Sequence, residues 1–312
     1  MNSVLPNKVH ACPACGRFDI SFLGNIPNYE GVIDHQGLSE LYRCLNCSLM
    51  FRSPYLSPTQ LYNEYSKITE NKWDYHQDRV DHYLAASQIR RSFTSGNILD
   101  IGCFRGDFLM LLSEDFVKYG LEPAHSARKI AIERGISLLG NSIEKIDEDS
   151  PKFNVITLLD VIEHLPNPFE SLRALAKLLT PKGCFIISTA NTDVIPWRLM
   201  RNDYWYYISE HVCFFCPSWF RWAGTQLGFE VTSVMKFSHF RSTFFEPWKQ
   251  LAQSLVFWAL NRTKRSPIIT NALLHTYPFT RARYWETPPK TISWRDHMIV
   301  VLQPKSAAVS KI

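Results

Sequence analysis

Residues Asn97 to Gly106 read NILDIGCFRG. A short apolar run that breaks at a glycine is how a buried parallel strand ends. The same unit recurs downstream. Short apolar runs at Val117 to Leu121, Ile136 to Leu139, Asn154 to Leu159 (NVITLL), Cys184 to Thr189 (CFIIST) and Phe229 to Phe237 read as strands. Between them, Asp107 to Ser113, Ala124 to Arg134, Pro168 to Leu179 and Pro217 to Leu227 carry helical patterning. Strands alternating with helices predict an α/β, Rossmann-like, doubly wound sheet with helices on both faces. Ligands of such sheets sit beyond the carboxyl ends of the strands, so the loop after Asp100 is the first place to look for chemistry.

That loop excludes one class of cofactor. A dinucleotide fingerprint would need glycines at positions 102, 104 and 107, where this chain has Gly, Phe and Asp. Asp107 also sits where a pyrophosphate would have to bind. A cofactor without phosphate tolerates the loop: Gly102 lets the backbone turn, and Gly106 would let a ligand approach. Glu122 ends the second strand, and a carboxylate there can accept both hydroxyls of a ribose. A plain tight turn explains a lone glycine loop, but not the strand, loop and Glu122 together.

This stretch resembles the class I S-adenosylmethionine-dependent methyltransferases over roughly residues 96–305. Their first motif is an acidic residue followed by Gly-x-Gly-x-Gly, and the string from Asp100 matches it with Phe104 in place of the middle glycine. The resemblance implies S-adenosylmethionine as cofactor, bound by Asp100, Gly102, Phe104 and Gly106, with Glu122 on the ribose. It puts Asn141, Ser142 and Ile143 beside the adenine and Asp160 beside the methionine part. The string LLDVIEHLPNP, from Leu158 to Pro168, is similar to the subgroup holding ubiquinone-biosynthesis O-methyltransferases and many sugar and natural-product enzymes. The family ends on an antiparallel seventh strand, and His297 to Leu302 (HMIVVL) has that place and composition. Residues 238–294 then form an insertion between the sixth and seventh strands.

Methyl transfer from a sulfonium needs positioning and a strong nucleophile, and an alcohol acceptor benefits from a histidine base. His164, just past the fourth strand, and His211, in the long segment after the fifth, are the candidates, with His211 favoured. Trp197, Tyr204, Trp205, Tyr206 and Tyr207 accompany it and could equally wall a substrate pocket or be core aromatics. The alternative reading of either histidine is a packed or cofactor-adjacent residue.

The 312 residues contain eight cysteines. Cys12-Pro-Ala-Cys15 and Cys44-Leu-Asn-Cys47 are paired knuckles, the pattern of a structural four-thiolate zinc site. Its closed coordination argues for a structural or substrate-gating role. The arrangement resembles the zinc-ribbon-like heads that precede some bacterial methyltransferase domains. Cys213-Phe-Phe-Cys216 cannot close a site alone and reads, with Cys103 and Cys184, as packing. The expected organisation is a zinc-binding head over residues 1–52, a linker and helix over residues 53–95 (helical from Trp73 to Phe93), and a methyltransferase domain over residues 96–312.

The N-terminal residues lack the apolar run of a secretory signal, so a soluble, cytoplasmic protein is expected. With 46% hydrophobic and 20% charged residues, wholesale disorder is excluded. A net charge of +5, without a basic tract near Cys12 to Cys47, disfavours a nucleic-acid partner. A small molecule or sugar, methylated at oxygen or carbon, is the expected acceptor. The competing readings are an RNA or protein methyltransferase and a non-catalytic binding protein, which Phe104 alone supports. Trp248 to Leu260, followed by Arg262, Lys264 and Arg265, could lie in a membrane interface over residues 248–265, cover the active site, or pack on its own domain. The sequence leaves the oligomeric state open.

Overall fold

The computed structural model describes residues 11–27, 38–71, 79–147, 149–239, 243–263 and 288–305. Its main sheet has seven strands: β4 (Gly96–Ile101), β5 (Phe116–Leu121), β6 (Ser137–Gly140), β7 (Phe153–Leu159), β8 (Leu179–Ala190), β10 (Phe229–Phe237) and β11 (His297–Pro304). Their spatial order is β10-β11-β8-β7-β4-β5-β6. The order reverses direction at β4, so the carboxyl ends of β4 and β7 flank the crevice where such sheets bind ligands. β11 runs antiparallel to both β8 and β10, as the apolar run at 297–302 predicted.

Alternation along the strands explains the two-sided core. Leu99, Ile156, Phe185, Val300 and Leu302 pack into one apolar cluster, while their neighbours Ile98, Val155, Ile186, Ile299 and Val301 belong to the other. Helix α6 (Pro217–Leu227) covers the first of these faces through Trp219, Phe220 and Ala223, and α2 (Val80–Ser92) covers the second through Ala85, Ala86 and Ile89.

Two helical expectations shorten. Asp107 to Ser113 yields only a 3₁₀ turn over Leu109–Leu111. Seven residues are too few to nucleate a helix unaided, and the Asp107 carboxylate is drawn instead to Arg105 and Arg134. The helix expected from Trp73 begins at Val80, because Arg79 has an extended backbone; residues 72–78 lie outside the described part.

The N-terminal region forms a separate antiparallel sheet, β1 (Ile20–Pro27), β2 (Leu38–Cys44) and β3 (Met50–Ser53). Its fourth strand comes from far along the chain: β9, Cys213–Phe214, pairs with β3. Cys12, Cys44, Cys47, Leu49 and Phe51 consequently share one apolar cluster with Cys213, Phe215 and Trp219. A short helix, α1 (Pro58–Ser66), then leads from the head to the cleft; a Ser57–Gln60 capping box starts it, satisfying two backbone donors reciprocally.

Candidate active site

The carboxyl ends of β4, β5 and β7 open into a cleft of about 1290 Å³. Of the residues singled out from the sequence, Asp100, Gly102, Phe104, Glu122, Asn141, Ser142, Ile143, Asp160, His164 and His211 all line it. Gly106 does not. Its φ is +82°, and a Cβ there would lie 1.9 Å from Ile136 Cδ1. The glycine lets the loop close onto Ile136, the residue just before β6.

Phe104 also departs from expectation in an informative way. It holds φ +48°, a left-handed conformation costly for a bulky residue. Its N–H donates to Glu122 Oε2 at 2.8 Å, and the N–H of Ala124 donates to Glu122 Oε1 at 2.7 Å. The carboxylate thus ties the first loop to the end of β5, and the loop keeps the shape a glycine would give. Burial pushes Glu122 up to about 7 against the lowering effect of these two bonds. Burial likewise pushes Asp100 up to about 7, although Thr157 Oγ1 donates to its Oδ1 at 2.6 Å.

Asp160 sits at φ +55° just beyond β7. It accepts from Arg79 Nη2 at 2.6 Å and Ser188 Oγ at 3.1 Å, with His239 Nε2 3.4 Å away. Burial opposes ionisation, but Arg79 and His239 hold the carboxyl well below the usual range. Asn141 Nδ2 donates to the Tyr62 hydroxyl at 2.6 Å, so α1 closes the cleft beside the segment expected near adenine.

The two histidines meet. Their ring centroids are 4.8 Å apart, edge to face. His211 is buried, and burial, then the neighbouring His164, hold its pKa well below the ordinary histidine value. Its Nδ1 lies 3.0 Å from the Tyr206 carbonyl, and His164 Nδ1 lies 2.8 Å from the Tyr65 hydroxyl. The aromatics around them form one cluster of Trp197, Tyr204, Tyr206, Tyr207 and Phe214, with Trp205 packed against it; of these, Trp205 and Tyr206 also line the cleft.

Sequence reasoning missed Arg79, Tyr62, Tyr65, Glu163, His239 and His297, all of which line the cleft. Tyr62 and Tyr65, three apart on a helix with a legible cap, carried the one usable signal.

In the head, Cys12 Sγ and Cys47 Sγ are 3.6 Å apart and Cys15 Sγ and Cys44 Sγ 3.5 Å. All four sulfurs lie within 4.8 Å of one another. Zinc–sulfur bonds of ~2.3 Å place tetrahedral sulfurs ~3.8 Å apart, so the set fits a zinc ion. Ser48 takes φ +66°, the same left-handed conformation as Gly16 after the first pair, so the two knuckles turn alike although only one has the glycine that this conformation favours. The Cys47 side-chain bond draws the Cys12 thiol down to about 6. Cys213 and Cys216 contact the carbonyls of Leu165 and Ser48 and are not in this cluster.

Strand order, loop and cleft define a class I S-adenosylmethionine-dependent methyltransferase. The family described as a methyltransferase domain matches residues 73–234, and the chain belongs to it. The ubiquinone biosynthesis O-methyltransferase of Pasteurella multocida is 27% identical over 166 residues, 44% of this chain and 67% of that protein. Its counterpart from Colwellia psychrerythraea is 31% identical over 122 residues, 35% and 48% respectively. In most such matches the chain spans about half the relative's length. The N-methyltransferase NodS of Bradyrhizobium japonicum, solved with S-adenosyl-L-homocysteine, has 13% identity, covers 79% of this chain and 99% of its own, and gives a TM-score of 0.45.

Proposed function

We propose that this protein transfers the methyl group of S-adenosylmethionine to a hydroxyl of a small molecule, a phenol or a sugar. The observation that carries the reading is one cleft joining Asp100, Glu122 and Asp160 to His164 and His211. S-adenosylmethionine supplies an activated methyl on a sulfonium. In this reading Glu122 accepts from the ribose hydroxyls, Asp100, Gly102, Phe104 and Gly106 shape the loop beneath them, and Asn141 to Ile143 flank the adenine. Asp160 takes the methionine end. His164 and His211 activate the acceptor hydroxyl from the other side of the cleft, where Tyr206 and Trp205 offer flat apolar walls suited to an aromatic or sugar ring.

The match to ubiquinone biosynthesis O-methyltransferases supports an oxygen acceptor on a small molecule. Phe104 is accommodated with its N–H on Glu122, which weakens the case for a degenerate, non-catalytic pocket. A zinc ion on Cys12, Cys15, Cys44 and Cys47 completes the head in this reading. The proposed organisation is that head over residues 1–52, a connector over 53–95 and the catalytic domain over 96–312 with its insertion at 238–294, working in the cytoplasm. No described helix is long and apolar enough to cross a membrane. Helix α7 (Glu246–Thr263) buries Gln250 and Ser254 while exposing Trp248 and Leu255, which supports peripheral contact with a membrane or an apolar acceptor; Lys264 and Arg265 lie outside the described residues.

The test is transfer of labelled methyl to a panel of catechols, phenols and nucleotide sugars, with calorimetry of S-adenosylmethionine. Turnover on one class, lost in His164→Ala and His211→Ala with cofactor affinity retained, is expected. Full activity in both variants would remove the histidines from the mechanism, and failure to bind S-adenosylmethionine would favour a scaffold.

A further inference from the structure

The methyltransferase family matches this chain only from residue 73 onward, yet residues that precede it hold both histidines of the acceptor side. Two arms reach the cleft from the N-terminal region, and each ends on one histidine.

The first arm is β3. Met50 pairs with Phe214 and Phe51 with Cys213. The ladder runs one residue further, since the Arg52 N–H donates to the Val212 carbonyl at 3.0 Å. The Val212 N–H donates the other way, to the Glu163 carbonyl at 2.8 Å. Val212 is thereby stitched between the head and the turn after β7, and His211 is its immediate neighbour. The Arg52 side chain, fully buried, reaches past that neighbour. Its Nη2 donates to the Ile208 carbonyl at 2.9 Å and its Nη1 to the Ser209 carbonyl at 3.3 Å, a task for which a planar fork is suited. One residue of the head thus fixes the backbone on both sides of His211.

The second arm is α1. The Tyr65 hydroxyl lies 2.8 Å from His164 Nδ1, and the Glu210 carbonyl oxygen lies 3.2 Å from the same nitrogen. A carbonyl only accepts, so Nδ1 carries the proton, the Tyr65 oxygen shares it, and Nε2 keeps its lone pair. The Tyr65 ring also meets the imidazole edge to face, with centroids 5.6 Å apart. The cofactor side is braced differently. Asp100 and Glu122 take their bonds from Thr157, Phe104 and Ala124, all within residues 96–312.

We propose that Arg52 and Tyr65 are positioning residues for methyl transfer, so that the four-cysteine head and α1 complete the acceptor side of the cleft. This rests on the proposed O-methyl transfer for what the histidines do, and adds which residues hold them. A base works only within hydrogen-bond reach of the proton it takes, and a shift of about 1 Å in its placement can cost on the order of a hundredfold in rate. Cofactor binding does not depend on that placement.

The test uses the full, zinc-loaded chain. Tyr65→Phe keeps the ring and removes only the hydroxyl; Arg52→Lys keeps the charge and removes the fork. Loss of one neutral hydrogen bond predicts a kcat roughly two- to tenfold lower in Tyr65→Phe, with acceptor KM and S-adenosylhomocysteine affinity within about twofold of wild type. Amide hydrogen exchange over residues 208–216 should rise at least about tenfold in Arg52→Lys, and again in wild type stripped of metal by chelation under reducing conditions, while β4 and β7 keep their protection. Wild-type kcat in both variants overturns the inference. So does exchange over residues 208–216 that neither Arg52→Lys nor chelation changes, or a rise that β4 and β7 share, which would make the head a general stabiliser. Absence of turnover by wild type on any acceptor removes the proposed function instead, and the exchange pattern then decides the inference by itself.

Discussion

Glu122→Gln separates what this carboxylate does for the fold from what it does for the cofactor. In the wild type both carboxylate oxygens accept backbone N–H groups, from Phe104 and Ala124. A glutamine has one acceptor oxygen, so one of those donors loses its partner, at a cost of ~1–3 kcal/mol. Against that stands the burial of the carboxylate. Its pKa rises from 4.5 to about 7, and at ~1.4 kcal/mol per tenfold in proton affinity the ionised form costs about 3 kcal/mol. The group is an acid with a raised folded pKa, so this cost is absent below 4.5, grows between 4.5 and about 7, and is complete above. At pH 8 the two effects of the substitution nearly cancel, and the melting temperature is expected to move by only a few degrees. Cofactor binding has no such compensation. Losing charged acceptors for the ribose hydroxyls is worth ~1.5–3 kcal/mol, a roughly 10- to 150-fold weaker affinity. Calorimetry at pH 8 and pH 6, beside thermal melts, reads both quantities. The wild-type affinity should itself weaken as pH falls through about 7, and the variant should lack that dependence. Wild-type affinity in the variant at pH 8 would falsify the ribose assignment; a collapse in melting temperature matching the affinity loss would reduce Glu122 to a structural brace.

Three further outcomes are expected. Cys44→Ser should lower zinc content well below one per chain and the melting temperature with it, since structural zinc contributes folding energy outright; stoichiometric zinc in the variant would refute the four-cysteine site. Arg52→Lys should lower kcat about tenfold while S-adenosylmethionine affinity holds, because the buried guanidinium spans the carbonyls of Ile208 (2.9 Å) and Ser209 (3.3 Å) just before His211, and a lysine lacks that planar fork; an unchanged kcat would break the link between head and loop. Gly106→Ala should destabilise by ~1–3 kcal/mol through its positive φ and the clash with Ile136 Cδ1, with part of the loss returned in Gly106→Ala/Ile136→Val. Denaturant melts in which the double variant regains nothing would point to backbone strain alone.

What could be read from the sequence followed from local rules. Strands buried on both faces announce themselves as apolar runs, which is why NILDIG, NVITLL and HMIVVL located the sheet and Val117 to Leu121 located the strand that ends at Glu122. Paired cysteines three positions apart specify their own geometry. The contacts that fill the cleft do not. Arg79 reaches Asp160 across 81 positions and Tyr65 reaches His164 across 99, and no periodicity encodes such meetings. Glu163 stood beside a candidate histidine yet gave no sign that it lines the cleft, because its partners Thr189 and Tyr206 come from later segments. The local rule also gave no hint that the freedom of Gly106 serves a packing contact with Ile136.

The two-residue strand Cys213–Phe214 sets an order of assembly. Residues 11–53 include three of the head's four strands, but β3 stays an unpaired edge until a segment about 160 positions later arrives. Unpaired edges invite pairing with other chains, and distant closures are slow. As the chain leaves the ribosome, cysteines 12, 15, 44 and 47 can gather long before their sheet is sealed. A zinc ion on the proposed four-cysteine site would then keep the early half of the protein in register while it waits for the later half.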